Sequence, residues 1–296
     1  DVYKRQIIDK GSHLPQSYDG NILVPFAIES SLSGVGKRVG DKKELVYHRS
    51  FKIDSKWKGK NVLLHFGAVD WKTDVWVNGI KVGSHKGGFT PFTFDITYAL
   101  HTKGDNSIVV KVWDPTDKGF QPRGKQVSNP GGIWYTPVTG IWQTVWLEPV
   151  NSTYISELKI TPDIDCNILK VKAVTKGSNT GLLINVSVFD SGKLVAEASS
   201  INGEDIQIEM PEDTKLWSPD SPFLYDINVC IKKNGKVIDE VKSYAAMRKF
   251  SSKRDRNGIV RLELNNKPLF QFGLLDQGWW PDGLYTACLL YTSPSP

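Results

Sequence analysis

The sequence predicts an all-β chain built as two consecutive β-sandwiches, the first a jelly roll and the second immunoglobulin-like. Three observations lead there. Short segments alternate apolar and polar residues with a period of two, which puts one set of side chains on a buried face. Turn signals separate these segments, among them Asn78-Gly79 and Asn234-Gly235, the dipeptide best suited to a two-residue hairpin turn. Long helical periodicity is absent, so the apolar faces have only other sheets to cover them.

Taken in order, residues 18–29 read as a turn followed by an extended apolar segment. Residues 44–53 alternate like a half-buried strand, and residues 61–66 place Val62, Leu64 and Phe66 on one face. Residues 74–82 form a hairpin around Asn78-Gly79, and residues 107–113 form a further strand. The stretch Gly131-Gly-Ile-Trp-Tyr-Thr-Pro-Val-Thr-Gly-Ile-Trp-Gln-Thr-Val-Trp-Leu-Glu148 follows. Its second half alternates as one strand, with Ile141, Gln143, Val145 and Leu147 on one side and Trp142, Thr144 and Trp146 on the other. Its first half, with two glycines, Pro137, Trp134 and Tyr135, reads as a shaped loop. Many short strands with regular turns make this first region a jelly roll.

Near Pro149 the character changes, and Asn151-Ser-Thr serves as a short linker. A second strand series then covers residues 154–160, 168–174, 182–189, 194–198, 206–210, 223–232 and 237–244. Leu182, Ile184, Val186 and Val188 share one face, and the last two strands form a hairpin through Asn234-Gly235. About seven strands in about a hundred residues is the size of an immunoglobulin-like sandwich. The Cys…Trp…Cys pattern of antibody domains is missing, so the assignment rests on strand count. Residues 260–275 read as a hairpin and then a buried strand.

Composition narrows the function classes. The chain has 296 residues, 40% of them apolar, and 10 Trp, enough for two real cores. Its formal charge of +5 is spread without basic runs, which gives no case for nucleic acid. No apolar stretch approaches membrane-spanning length. The 3 Cys contain no CxxC pair, so a disulfide scaffold is not expected. The 5 His lack metal-ligand spacing, and no metal or cofactor is expected. Gly34-Val-Gly-Lys-Arg-Val-Gly40 has the wrong spacing for a phosphate loop, and no Gly-x-Ser-x-Gly elbow occurs.

The segment from Gly131 to Glu148 resembles the closing segment of the sugar-binding domain of glycoside hydrolase family two, the family of β-galactosidases, β-glucuronidases and β-mannosidases. Other segments resemble it in the family's order. The Pro-containing run of residues 18–29 is similar to its opening, and His85-Lys-Gly-Gly-Phe89 to its His-x-Gly-Gly-aromatic segment. Trp217-Ser-Pro219 is similar to its Trp-Ser-Pro motif, while Ala245-Ala246 departs from the aromatic and glycine usual near Arg248-Lys249. Residues 268–287 are similar to the start of the family's catalytic (β/α)8 barrel, Asp276-Gln-Gly-Trp-Trp280 standing in the loop after its first strand. Both chain ends look like something else. Asp1-Val-Tyr-Lys-Arg-Gln6 and Cys288-Leu-Leu-Tyr-Thr-Ser-Pro-Ser-Pro296 resemble translated strands of a transposon sequencing adapter. The expected organisation is therefore adapter at 1–6, jelly roll at 7–150, immunoglobulin-like sandwich at 151–250, the first-strand stub of a cut barrel at 251–287, and adapter at 288–296. The natural N-terminus would be absent, which leaves the compartment unassigned.

The resemblance implies a retaining glycosidase acting on a terminal β-linked sugar, galactoside first and glucuronide or mannoside next. Its two catalytic carboxylates, about 5–5.5 Å apart, would lie past Ala287, so no catalytic residue is expected in this chain. The implied partners are carbohydrate, the chain's own missing barrel and, in the parent, a second copy. The competing class is a stand-alone, lectin-like double sandwich; a finished lectin has no use for residues 276–286.

Three constellations could meet sugar. The long polar loop of residues 114–126 offers Arg123, Lys125 and Gln126 to hydroxyls, leading to Trp134 or Tyr135 for a pyranose face. It reads equally as a solvated loop over the sandwich edge. The glycines of residues 83–92 fit close backbone approach, a structural role. Asp276, Gln277, Trp279 and Trp280 stand where barrel loops face a substrate. Asp70 and Asp74, flanking Trp71, read as strand-edge or turn residues and not as a catalytic pair.

Overall fold

The computed structural model describes residues 1–101, 103–178, 180–201 and 204–287. The chain divides into two compact units, one of Asp1–Pro149 together with the chain from Leu275 onward, the other of Val150–Leu274.

The first unit is a sandwich of eleven strands: β1 (Val2–Asp9), β2 (Gly20–Leu23), β3 (Lys43–Phe51), β4 (Asn61–Phe66), β5 (Val69–Asp70), β6 (Lys72–Val77), β7 (Ile80–Lys86), β8 (Phe92–Asp95), β9 (Asn106–Trp113), β10 (Gly140–Ile141) and β11 (Val145–Val150). One sheet has the order β2-β1-β3-β9-β6-β7, facing a sheet β11-β4-β8 and the short pair β10-β5. Alternation explains the core. Leu45 and Tyr47 of β3, Val110 and Val112 of β9, and Val75 and Val77 of β6 all point inward, against Val62, Leu64 and Phe66 of β4. Truncating such a side chain, Phe66→Ala for example, removes about 3–5 kcal/mol of packing. Asn78 at φ 50° and Gly79 at φ 80° make the left-handed turn between β6 and β7.

The expected single strand of residues 141–147 is two strands in two sheets. Ala68 O receives both Trp142 N (3.3 Å) and Gln143 N (3.4 Å), while Gly67 N donates to Thr144 O (2.9 Å). Two residues thus oppose one, the geometry of a bulge, and the chain crosses from the partner of β5 to the partner of β4. Residues 2–6, expected to stand outside the fold, are part of β1. The edge of β3 pairs them from Lys4↔His48 to Ile8↔Glu44, and alternation turns Tyr3 into the core, 6.2 Å from Tyr47 and edge-on to it. Residues 288–296 lie outside the described residues.

The second unit holds β12 (Tyr154–Asp163), β13 (Ile168–Lys176), β14 (Leu182–Asp190), β15 (Lys193–Ile201), β16 (Ile206–Glu209), β17 (Tyr225–Lys233) and β18 (Lys236–Ala245). They form a sheet β12-β13-β16 and a sheet β15-β14-β17-β18, the seven-strand count of an immunoglobulin-like sandwich. Leu169 and Val171 meet Ile184, Val186, Ile227 and Val229 in its core. A third sheet joins β19 (Phe250–Arg254), β20 (Val260–Leu264) and β21 (Lys267–Pro268). The strand read after this hairpin is not formed, as expected of a first barrel strand that lacks neighbours on both edges. Residues 269–275 are irregular, and Phe270, Phe272, Leu274 and Leu275 are all more than four-fifths exposed. A strand of that composition holds its form only between neighbours, and past the Leu269 N–Leu262 O hydrogen bond (3.0 Å) none pairs with it among the described residues.

Candidate functional site

Residues 276–287 fold back onto the first unit, and the candidate site is built where they land. Trp280 and Leu284 close the segment with reciprocal backbone hydrogen bonds of 2.8 and 3.0 Å. Leu284 is buried beside Ala27 and Val138. Ser30 Oγ donates to Asp282 O (2.5 Å), and Thr286 Oγ1 lies 2.6 Å from Trp142 O and 3.0 Å from Pro25 O.

Over this base runs a chain of rings. Tyr135 and Trp279 stack at 4.6 Å, Trp279 meets Tyr285 edge-on at 5.3 Å, and Tyr285 tilts against Trp142 at 5.2 Å and Phe89 at 5.6 Å. Pairs of this kind contribute about 0.5–1.5 kcal/mol each beyond their burial. Trp142 Nε1 donates to Gly88 O (2.7 Å). The glycine matters, since a Cβ at Gly88 would stand 2.5 Å from Asp70 Oδ1.

Beneath the rings lies a sealed polar cluster. Gln126, only 1% exposed, donates from Nε2 to Asp70 Oδ2 and to the Tyr285 hydroxyl, each at 3.1 Å. Its Oε1 accepts from Val138 N (2.5 Å). Asp114 accepts from Thr116 N (2.8 Å) and sits 3.5 Å from Thr139 Oγ1. Thr139 N donates to Glu29 Oε2 (2.8 Å), while Glu29 Oε1 is enclosed with no hydrogen-bond partner. Burial pushes all three carboxyls up. Glu29 rises to about 8 against the opposing Thr139 hydrogen bonds, with the Asp114 charge adding to the rise. Asp114 rises to about 6, and Asp70 well above the carboxylate range through burial and then the Asp114 charge. Burial likewise takes the Tyr285 phenol to about 12.

The residues expected to meet sugar divide accordingly. Tyr135 and Trp279 are brought together, with Lys125 Nζ 5.8 Å from the Tyr135 ring centroid. Trp134 stands exposed on the same loop. Arg123 is half-buried, and its carbonyl lies 3.4 Å from the Tyr285 hydroxyl. Asp276 and Gln277 are exposed, Asp276 Oδ1 accepting from Gly278 N (2.8 Å), and Trp280 is half-buried. Gln126 is corrected: both side-chain donors and its acceptor are engaged inside the protein, so it has nothing left for a sugar. Asp70 ends the two-residue β5, a strand-end position as expected, and is 2% exposed at the heart of the cluster. Glu29, Asp114, Trp142 and Tyr285 were not anticipated. For Glu29 and Asp114 the one sequence signal is apolar company around an acid, which marks many ordinary turns as well. Among the described residues, no group of three or more His, Cys, Asp or Glu could hold a metal, and no helix is long and apolar enough to cross a membrane.

The family model described as the sugar-binding domain of the glycosyl hydrolases family 2 matches residues 12–147, and a second model of that family matches residues 153–248. A β-galactosidase of Thermoanaerobacter pseudethanolicus is 29% identical over 238 residues, which cover 77% of this chain and 31% of that protein. A putative β-glucuronidase of Formosa agariphila is 31% identical over 70% of this chain and 25% of its own length. The structure of a β-glucuronidase from Ruminococcus gnavus in complex with D-glucuronic acid shares the fold at a TM-score of 0.78 and 21% identity, over 97% of this chain and 51% of that one. The chain thus spans about a third or less of the length of these curated relatives.

Proposed function

From the premise that this chain belongs to glycosyl hydrolase family 2, we propose that it is the sugar-binding and immunoglobulin-like part of a retaining glycosidase for terminal β-linked sugars. β-Galactosides come first, with β-glucuronides or β-mannosides next. The observation carrying the site is the Tyr135–Trp279 stack. It joins the loop before β10 to the segment that resembles the first loop of the catalytic barrel. Arg123, Lys125, Trp134, Tyr135, Asp276, Gln277, Trp279 and Trp280 would then form one wall of the sugar site. Rings offer a pyranose face its apolar partner, and Arg, Lys and Gln offer hydroxyls their donors. The acid/base and nucleophile carboxylates would come from later barrel strands. Asp70 and Asp114 are too deeply sealed to serve.

The reading expects no hydrolysis of aryl β-glycosides by this chain alone. With the reading frame continued through the barrel, it expects hydrolysis with retained anomeric configuration. In that longer enzyme Arg123→Ala should lower kcat/KM about tenfold or more, roughly 1.4 kcal/mol, with melting temperature nearly unchanged. Unchanged kinetics with a clearly lowered melting temperature would make the loop a brace and remove it from the sugar site. Turnover by the present chain, above a host-enzyme blank, would overturn the assignment of catalysis to the barrel.

A further inference from the structure

We propose that Gln126 is a positioning residue: it latches residues 276–287 onto the first sandwich and thereby holds Trp279 against Tyr135. The inference rests on the sugar-site reading for its catalytic consequence, though not for the latch itself.

The argument starts from hydrogen-bond capacity. A neutral amide has two N–H donors and a carbonyl acceptor, and the Gln126 side chain uses them in three directions. They reach Asp70 on β5, Val138 on the run into β10, and Tyr285 on the returning segment. The same residue is tied to the ring wall through the backbone. Tyr135 N donates to Lys125 O (2.8 Å) and Val127 N to Tyr135 O (3.0 Å), so Gln126 and Tyr135 run side by side. Holding Tyr285 therefore sets the distance between the Tyr135 loop and Trp279, whose ring lies edge-on to Tyr285. The Tyr285 hydroxyl completes the relay, accepting from Gln126 and facing the Arg123 carbonyl. Its raised pKa keeps the phenolic proton in place.

Glu would lose both donors and set a second carboxyl against Asp70, which already feels the Asp114 charge. Ala would leave Asp70, Val138 N and Tyr285 unpaired in a sealed site, where each unmet group is costly. Other contacts of the segment, from Ser30 to Asp282 and from Thr286 to Trp142 and Pro25, tie it down without touching the Tyr135 loop.

Amide hydrogen exchange on this chain tests the latch with Gln126→Ala, Gln126→Glu, Tyr285→Phe and the Ala/Phe double variant. Tyr285→Phe is the mild member, keeping the ring stack while deleting one link. Each single variant should speed exchange at Trp280 and Leu284 about tenfold, the equivalent of one net hydrogen bond, with β3 and β9 unchanged. The double variant should exchange no faster than Gln126→Ala, because both changes cut one link. Unaltered exchange at Trp280 and Leu284, multiplied effects in the double variant, or lost protection throughout the first unit in Tyr285→Phe would each overturn the proposal. In the longer enzyme, Gln126→Ala should raise KM for an aryl β-galactoside or β-glucuronide about tenfold while leaving kcat within about twofold. An equal fall in kcat at unchanged KM would remove the positioning role. Absence of all glycosidase activity in the longer enzyme would defeat the family-based function and leave the exchange result standing.

Discussion

Glu29 combines an enclosed, unpartnered oxygen with a carboxyl whose pKa is raised to about 8. Such a group holds its proton in the folded state at pH values where the unfolded chain has released it. Across the window from about 4.5 to about 8 the folded state therefore binds more protons, and stability falls as pH rises. Asp114, raised to about 6, adds to the lower half of that window, and Asp70 acts in the same direction. The melting temperature of the first unit should accordingly decline between pH 5 and pH 8. Glu29→Gln, a neutral stand-in for the protonated acid, should flatten the decline above pH 6. Parallel curves for the two proteins, recorded by calorimetry, would show that the Glu29 carboxyl titrates alike in the folded and unfolded states and is not raised by folding. Gly140 presents a steric case. At φ +101° it is in a region costly for other residues, and a Cβ there would collide with the Tyr47 hydroxyl. Tyr47 in turn accepts from Ile141 N (3.2 Å). Gly140→Ala should destabilise by about 2–3 kcal/mol in denaturant unfolding, whereas Gly131→Ala, with open space around it, should cost well under half of that.

Local elements were legible wherever one face alternated cleanly. Residues 61–66 and 182–189 were read nearly to their ends because Val62, Leu64 and Phe66, or Ile184, Val186 and Val188, repeat every second position. The hairpins were legible because Asn-Gly accepts positive φ at both turn positions. Alternation failed at Trp142 to Thr144, where the pattern continues although the hydrogen-bonding partner changes at Ala68. Periodicity records which face is apolar and carries no mark of a sheet switch. The site was harder still. Tyr135 and Trp279 could be singled out as aromatics in loops, but their meeting could not be read, nor could the link from Gln126 to Tyr285, 159 positions apart. The apolarity of residues 269–275 suits a strand buried between neighbours, and their exposure without them gives a direct expectation. Limited chymotrypsin digestion should cut first after Phe270 or Phe272, where unpaired backbone carries exposed aromatic side chains. Mass spectrometry of the first-formed fragments checks this. Initial cleavage inside β3 or β14 would mean that these residues are covered in solution.

At the level of the whole molecule, the sugar-binding region and the immunoglobulin-like region are each a two-layer solution to one problem, the covering of half-apolar sheets. The first unit draws on two stretches of chain, Asp1–Pro149 and the residues from Leu275 onward, with Val150–Leu274 between them. That discontinuity has a consequence for synthesis. As the ribosome passes Val150, all eleven strands of the first sandwich have been made, yet Tyr135, Trp142 and the buried Asp70–Gln126 pair still lack their cover. Translation at about 5–20 residues per second leaves them so for on the order of ten seconds, while the intervening sandwich is made. During that interval the nascent chain presents an aromatic, partly wet surface to solvent or to chaperones. The ring wall is therefore finished only by a chain that has already made the domain in between.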